Sequence, residues 1–146
     1  MRLYEFINKY VNTQVDFDKA FGSQCVDLFR QYCKDVLKIP HTGSVNGAKD
    51  LYLNYRSLPT EMMYFDQYKF ISDGYGIKYG DVIIWNKNDS NEYGHVAIAI
   101  NKIDADKVLV FEQIGFSKNG KDKALMSVRS LENCLGILRA RNGGNI

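Results

Sequence analysis

The chain has 146 residues, of which 45% are hydrophobic and 25% charged, a balance that suits one globular domain with an ordinary core. Its 19 Lys and Arg residues nearly cancel 17 Asp and Glu residues, and the absence of a basic run or helical stripe argues against a nucleic-acid partner. No apolar run reaches the roughly 18 residues that span a bilayer, and the first residues lack the apolar core of a signal peptide, so we expect neither a membrane anchor nor an export signal.

Apolar residues recur at helical spacing in the first third of the chain and predict three helices. The first spans residues 2–11, the second runs for about four turns over residues 24–37, and the third is short, over residues 48–55. Pro40 and the polar run after it end the second helix. Residues 56–76 interleave aromatic and charged side chains without a clear period, so we expect these aromatic residues to lie in the core, with the lining of a substrate groove as the alternative for some of them.

Apolar residues alternate with polar ones from about residue 77 onward, which predicts β-strands. The predicted strands span residues 80–85, 94–100, 107–113, 124–128 and 135–140. A polar turn follows the first strand, and a short hairpin connection over residues 101–106 joins the second strand to the third. Helices followed by an antiparallel sheet predict an α+β fold.

Cys25 lies where a cysteine can act as a nucleophile. It falls in the first turn of the second predicted helix, behind Gly22, which permits a sharp entry, and Ser23, a good N-cap. The positive end of the helix dipole and the unsatisfied N–H groups there favour a thiolate. The competing interpretation is a buried cysteine that acts as a small hydrophobe, which is how we interpret Cys33 and Cys134.

Oxygen ligands surround that cysteine at the spacing of a twelve-residue calcium loop. Loop positions 1, 3, 5, 7 and 12 hold the side chains or backbone carbonyls of Asp16, Asp18, Ala20, Gly22 and Asp27. A true EF-hand is not predicted, because position 6 is not glycine, position 5 brings no side-chain ligand and position 12 is not glutamate. A solvated loop with capping aspartates is the alternative interpretation.

A histidine and a glutamate in the predicted sheet can supply a base. His95 opens the second predicted strand and Glu112 closes the third, so that they lie roughly across from each other when Asp104 is at the turn. A carboxylate fixes the tautomer of a neighbouring imidazole and raises its basicity, and the imidazole can then take a proton from the Cys25 thiol. The alternatives are a structural edge-strand histidine and a surface carboxylate.

Five short segments of the chain occur in a characteristic order. They are Gly22–Leu28 (GSQCVDL), Tyr79–Trp85 (YGDVIIW), Gly94–Ile98 (GHVAI), Val110–Gln113 (VFEQ) and Gly136–Arg139 (GILR). Together they resemble the CHAP domain, the cysteine, histidine-dependent amidohydrolase/peptidase family. The resemblance covers most of the chain, and the combination of segments is specific where each one alone is not.

The resemblance implies a papain-like fold and the hydrolysis of amide bonds in bacterial peptidoglycan, often by phage endolysins or wall-remodelling enzymes. Matched residue by residue, it implies that Cys25 is the nucleophile, His95 the general base and Glu112 the group that orients it. Gln24, with the backbone N–H of Cys25, is implied to stabilise the oxyanion. In several phage lysins of the family an asparagine stands two places after the glutamate, where this chain has Ile114.

The resemblance also bears on cations and on domain organisation. Some CHAP lysins bind calcium in a loop just before the nucleophile, and the carboxylates of this chain match those positions, so we expect a structural calcium ion. We expect residues 1–140 to form the catalytic domain and the glycine-rich residues 141–146 to start a linker to a wall-binding module. Such a protein would be made in the host cytoplasm and act at the bacterial cell wall.

Three functions fit this sequence. The favoured one is an endopeptidase that cuts the stem or cross-bridge peptide of peptidoglycan. The same fold can instead act as an N-acetylmuramoyl-L-alanine amidase. A catalytically inactive wall-binding or calcium-binding module is the alternative from another class, and the intact set of Cys25, His95 and Glu112 argues against it because folding does not require all three.

Overall fold

The structure, a computed structural model, describes residues 1–18, 24–70, 76–114, 122–143 and 146. Its helices are α1 (Leu3–Tyr10), α2 (Cys25–Asp35), α3 (Asp50–Leu53) and α4 (Pro59–Tyr64), with a 3₁₀ turn at Tyr55–Ser57. Its strands are β1 (Phe65–Lys69), β2 (Val82–Trp85), β3 (His95–Asp104), β4 (Lys107–Glu112), β5 (Leu125–Ser130) and β6 (Cys134–Ala140). None of the helices in these ranges has the length and apolar character needed to cross a membrane.

The three predicted helices are present, and each is shorter than predicted. The helix α2 ends at Asp35, because the backbone turns into the left-handed conformation at Lys38 (φ 57°) on its way to Pro40. The helix α3 begins at Asp50, whose Oδ2 accepts a hydrogen bond from the N–H of Gly47 at 3.1 Å. The last predicted residue of that helix, Tyr55, begins the tighter 3₁₀ turn.

The six strands form one antiparallel sheet in the order β1-β6-β2-β3-β4-β5. The stretch of residues 56–76, for which no element was predicted, supplies α4 and the edge strand β1. Only Phe65 of the five residues of β1 is buried, so the strand shows little apolar alternation. The hairpin between β3 and β4 is tighter than the predicted 101–106, because β3 continues to Asp104 through two register irregularities.

Apolar side chains cover both faces of this sheet. One face forms a buried cluster with α1, α2 and α3, in which the ring of Phe111 meets that of Phe6 at 6.0 Å between centroids. In the same cluster the Tyr32 hydroxyl of α2 donates a hydrogen bond to the carbonyl oxygen of Gly80, 2.9 Å away. The other face carries a second cluster that includes Trp85. The predicted α+β class is confirmed, and α2 lies against β3.

Candidate active site

Cys25 is the first residue of α2, with Gln24 as N-cap, whereas Ser23 lies outside the described residues. The N–H of Gln24 donates to Oδ2 of Asp27 at 3.0 Å and fastens the start of the helix. The Cys25 side chain is nearly buried, and its thiol is hydrogen-bonded to the imidazole of His95. The structure therefore brings the predicted nucleophile and base together, and the role of Gln24 at an oxyanion stays a prediction.

His95 and Glu112 are neighbours across β3 and β4. The register pairs Ile98 with Phe111, so that Glu112 stands opposite Ala97 and diagonally from His95, not directly across from it. Nε2 of His95 nevertheless lies 2.8 Å from Oε1 of Glu112, and both side chains are buried. Cys25, His95 and Glu112 thus form a continuous hydrogen-bonded chain.

The charges and hydrogen bonds around His95 determine which nitrogen of its imidazole carries the proton. Burial disfavours the charged imidazole, but hydrogen bonds with Cys25 and Glu112 outweigh it and raise the pKa of His95. Burial likewise disfavours the Glu112 carboxylate, yet hydrogen bonds from His95, Arg129 and Ser127 lower its pKa to about 2. Because Glu112 is ionised it only accepts, so Nε2 of His95 carries a proton and Nδ1 is left to face the thiol.

Glu112 also accepts hydrogen bonds from two residues of β5. The sequence patterns did not indicate either of them. Ser127 Oγ donates to Oε2 of Glu112 at 2.5 Å, while Arg129 donates from Nε to Oε1 at 2.6 Å and from Nη2 to Oε2 at 3.1 Å. The register pairs Ser127 with Val110, which places it on the same sheet face as Glu112. The available signal was the alternation of polar residues along residues 125–130. It does not show which residue these side chains contact until the partner strand is known.

Glu112→Gln is expected to flatten the acid end of the stability curve. The pKa of Glu112 falls from an ordinary 4.5 to about 2 on folding. Its contribution to the free energy of unfolding is therefore complete above about pH 4.5 and is lost as the pH falls through about 2. The shift corresponds to about 3 kcal/mol of unfolding free energy. Urea unfolding between pH 2 and pH 6 measures it, with the exposed Glu132→Gln as control. An unchanged slope in Glu112→Gln would contradict the assigned contacts.

Gln113, next to Glu112, is fully buried. Its side chain forms hydrogen bonds with Val15 and Gln24, which lie at the two ends of the segment that precedes α2. Its Nε2 donates to the carbonyl oxygens of Val15 and Gln24 at 2.7 and 2.9 Å, and its Oε1 accepts from the N–H of Val15 at 2.8 Å. Because Cys25 follows Gln24 directly, one side chain couples the strand that bears Glu112 to the residue before the nucleophile. A polar residue ending an apolar strand was the only sequence signal, and it does not identify these partners.

Gln113→Ala is expected to destabilise the domain by about 3 kcal/mol, because each buried backbone group left without a partner costs about 1–3 kcal/mol. Urea unfolding at neutral pH measures the change. Gln67→Ala is the matched control, since Gln67 is half-buried and its side chain makes one hydrogen bond within the described segments, to the carbonyl of Tyr52. An equal decrease in the free energy of unfolding of the two variants would show that the hydrogen bonds of Gln113 do not stabilise the domain by linking distant segments.

Three of the predicted calcium ligands lie together. Asp16, Asp18 and Asp27 each place one carboxylate oxygen within 4.8 Å of the others. Oδ1 of Asp16 is buried and has no hydrogen-bond partner in the described part of the chain. Burial, with repulsion from Asp18 and Asp16, raises the pKa of Asp27 to about 6. These oxygens fit a hard cation such as calcium, while the predicted ligands Ala20 and Gly22 lie outside the described residues.

A groove of about 810 Å³ opens beside His95. Its walls are the polar loop of residues 86–91 and the segment of residues 129–133, and the half-exposed Ile114 lines its rim. Asn133 joins the two walls, since its Nδ2 donates to the two backbone carbonyls that open the loop at 3.1 and 2.7 Å. The groove is therefore a braced, open cleft in which an extended polymer can reach the imidazole.

Known proteins resemble this chain in sequence. The sequence model of the CHAP domain family matches residues 14–114. Endolysin PlyTW of Staphylococcus phage Twort (strain DSM 17442 / HER 48) is 34% identical over 137 residues, which is 90% of this chain and 27% of PlyTW. The chain therefore spans about a quarter of the length of that relative.

Solved structures resemble it in fold. Wild-type endolysin LysIME-EF1 matches with a TM-score of 0.64 and 22% identity over 92% of this chain and 61% of its own. Ly7917 matches with a TM-score of 0.56 and 17% identity, over 80% of this chain and 53% of its own. These similarities confirm the papain-like α+β fold. With the family's sequence model covering most of its residues, the chain belongs to the CHAP domain family.

Proposed function

We propose that residues 1–140 are the catalytic domain of a peptidoglycan hydrolase that cuts an amide bond of the bacterial cell wall. The hydrogen-bonded series of Cys25, His95 and Glu112 carries this proposal, because it supplies a nucleophile, a base and a fixed tautomer in one place. Membership of the CHAP family and the similarity to PlyTW support the wall as substrate. Residues 141–146 would begin a linker to a wall-binding module.

The first half of the reaction acylates the enzyme. Sγ of Cys25 forms a bond to the carbonyl carbon of the scissile amide, and the carbonyl π electrons move onto its oxygen. The backbone N–H of Cys25, one of the donors that a helix start leaves unpaired, would stabilise this oxyanion together with Gln24. As the C–N bond breaks, the proton that His95 took from the thiol passes to the leaving nitrogen, which departs as a neutral amine.

The second half releases the product. His95, neutral again, takes a proton from a water molecule whose oxygen attacks the thioester carbonyl. The C–S bond breaks, the sulfur recovers the proton from His95, and the carboxylic acid product leaves. Glu112 stays ionised throughout and stabilises the imidazolium that forms in each half.

Polar side chains line most of the groove beside His95, which suits a peptide better than a sugar ring as the bound group. Sugar rings pack against exposed aromatic faces. Among the described residues that line the groove, Trp85 and His95 carry aromatic rings, and they are only 5% and 8% exposed. Trp85 lies 5.6 Å from the ring of His95 and 5.6 Å from the guanidinium of Arg129, measured to ring centroids. We therefore place an endopeptidase ahead of an N-acetylmuramoyl-L-alanine amidase.

The carboxylate cluster before α2 is proposed to hold a structural calcium ion. Asp16, Asp18 and Asp27 would bind it, with the backbone carbonyls of Ala20 and Gly22. A bound divalent cation supplies positive charge that offsets the repulsion among these carboxylates. Among the described residues, Arg30 brings positive charge to the cluster, with Nη1 3.7 Å from Oδ2 of Asp18. Since Asp27 also fastens the start of α2, a filled site would steady the helix that presents the nucleophile.

Digestion of purified Staphylococcus cell walls in the presence of calcium tests the proposed function. Wild type and His95→Ala are compared. His41→Ala is the matched control, because His41 is the other histidine of the chain and is exposed. We expect soluble fragments from wild type and His41→Ala and none from His95→Ala. Mass spectrometry of the new ends identifies the bond, because an amidase frees the lactyl carboxylate and the amine of L-alanine, whereas an endopeptidase leaves that amide intact and exposes ends within the peptide. No fragments from any variant, over several wall types, would favour a binding module.

A further inference from the structure

Arg129 occupies an unusual place beside the series of groups described above. It grips both oxygens of Glu112, with Nε 2.6 Å from Oε1 and Nη2 3.1 Å from Oε2, which is the forked geometry of a strong arginine–carboxylate pair. Its guanidinium also lies 5.6 Å from the ring centroid of Trp85, the residue paired with His95 across β2 and β3. Arg129 therefore touches the carboxylate on one side and the indole beside the imidazole on the other.

This grip restricts how Glu112 can move. Oε1 is shared between His95 and Arg129, and Oε2 accepts from Ser127 and Arg129. With both oxygens held in one plane, the carboxyl group cannot rotate away from Nε2 of His95 without breaking a charge-assisted hydrogen bond. The orientation of the imidazole, and hence the approach of Nδ1 to the thiol, depends on a residue that contacts neither reacting atom.

Arg129 also moderates the charge that His95 experiences. In the described part of the chain, the titratable groups that contact or electrostatically affect the imidazole are Cys25 from α2, Glu112 from β4 and Arg129 from β5, while β2 contributes the uncharged Trp85. Burial and Arg129 disfavour the imidazolium, whereas Cys25 and Glu112 favour it. A carboxylate shared with a guanidinium stabilises the imidazolium less than a lone carboxylate would, which leaves the proton easier to pass on.

We propose that Arg129 is a positioning residue of the hydrolase, which locks the Glu112 carboxylate onto His95 and takes a share of its negative charge. The proposal rests on the proposed function for its catalytic consequence. Its structural basis, the contact of one guanidinium with Glu112 and Trp85, is independent of the bond that is cut.

The chain contains a matched pair that serves as control. Arg139 of β6 grips Asp81 in the same forked way, with 2.8 Å from Nε to Oδ1 and 2.7 Å from Nη2 to Oδ2, and its guanidinium lies 5.1 Å from the ring centroid of Tyr68. The side chains of the two arginines are similarly half-buried. Arg139→Gln therefore reports what losing such a pair does to the fold away from His95.

NMR titration of His95 tests the proposal without any need for hydrolysis. The titrations use Cys25→Ala protein, and the exposed His41 gives the only other histidine signal. Arg129→Gln is expected to raise the proton affinity of His95 by roughly three- to tenfold, because Glu112 then acts on the imidazole undivided. Arg129→Lys keeps the charge and should show less than half that rise, and Arg139→Gln none. An unchanged or lowered His95 midpoint in folded Arg129→Gln would overturn the proposed sharing of charge.

Wall-hydrolysis kinetics with Cys25 intact supply the second readout. Arg129→Gln should lower the maximal rate about 10- to 100-fold, with the half-saturating wall concentration within about twofold of wild type, because misplacing a catalytic group costs rate and not binding. A change in half-saturation alone would make Arg129 a substrate-binding residue and overturn the proposal. If Arg129→Gln does not fold, Arg129→Lys serves as the test. A wild-type rate in this variant, which lacks the forked hydrogen bonds to Glu112, would overturn the proposal. Inactivity of wild type itself would defeat the proposed function and leave the titration result standing.

Discussion

Cys25→Ala is expected to lower the rate of wall hydrolysis by at least about 10³-fold, because the variant loses the thiol that interacts with His95 and would form the acyl intermediate. Release of dye from labelled walls measures the rate. The fold should persist, since removing one sulfur atom at a helix start leaves a small cavity and keeps the hydrogen bond from Gln24 to Asp27. We expect the melting temperature to change by no more than a few degrees.

Cys134→Ala is the matched control for the loss of a thiol. Cys134 is a free, half-buried cysteine that packs against the second core cluster, and burial raises the pKa of its thiol to about 12, so it does not ionise near neutral pH. This variant should keep the hydrolysis rate within about threefold of wild type. A Cys25→Ala protein that retains a tenth of the wild-type rate, or a Cys134→Ala protein that is equally inactive, would remove Cys25 from the role of nucleophile.

The sequence was most informative where a functional side chain sits inside a local pattern. The 3.6-residue period after Cys25 placed it in the first turn of a helix, and the alternation around His95 and Glu112 placed them on adjacent strands. Local patterns could not give the register, which two irregularities in β3 shift so that His95 and Glu112 become diagonal neighbours. The contact survives because these side chains are long enough to reach across the diagonal.

The sequence was least informative where function depends on distant pairing. Ser127 and Arg129 reach Glu112 only because β5 pairs with β4, and none of the residues of β5 is buried, so burial does not indicate beforehand which way the strand faces. The position of β6 between β1 and β2 likewise cannot be deduced from chain order, since the half-exposed β1 was not recognised as a strand. Gln113 bonds to Val15, which lies 98 positions away in the sequence, a separation that no local period encodes.

Removing calcium is expected to lower the melting temperature by roughly 5–10 °C at neutral pH. A ligand present at about 100 times its dissociation constant adds about 2.7 kcal/mol, and each kcal/mol moves the melting temperature of a domain of this size by about 2–4 °C. Differential scanning calorimetry in calcium and in a chelator measures the shift. Asp66→Asn is the matched control, because Asp66 is a half-exposed carboxylate that pairs with Arg141 on the far edge strand.

The pH dependence of this shift distinguishes a cation site from a cluster of acidic side chains. Without a cation, the raised pKa of Asp27, about 6, means that the folded state binds more protons than the unfolded chain between about pH 4 and pH 6. Stability then falls as the pH rises through that window, and bound calcium reverses the loss. The calcium-induced shift should therefore be small near pH 5 and complete above pH 7, and Asp27→Asn should lose both the shift and its pH dependence. A shift that is equal at both pH values, or that survives in Asp27→Asn, would place calcium elsewhere on the domain.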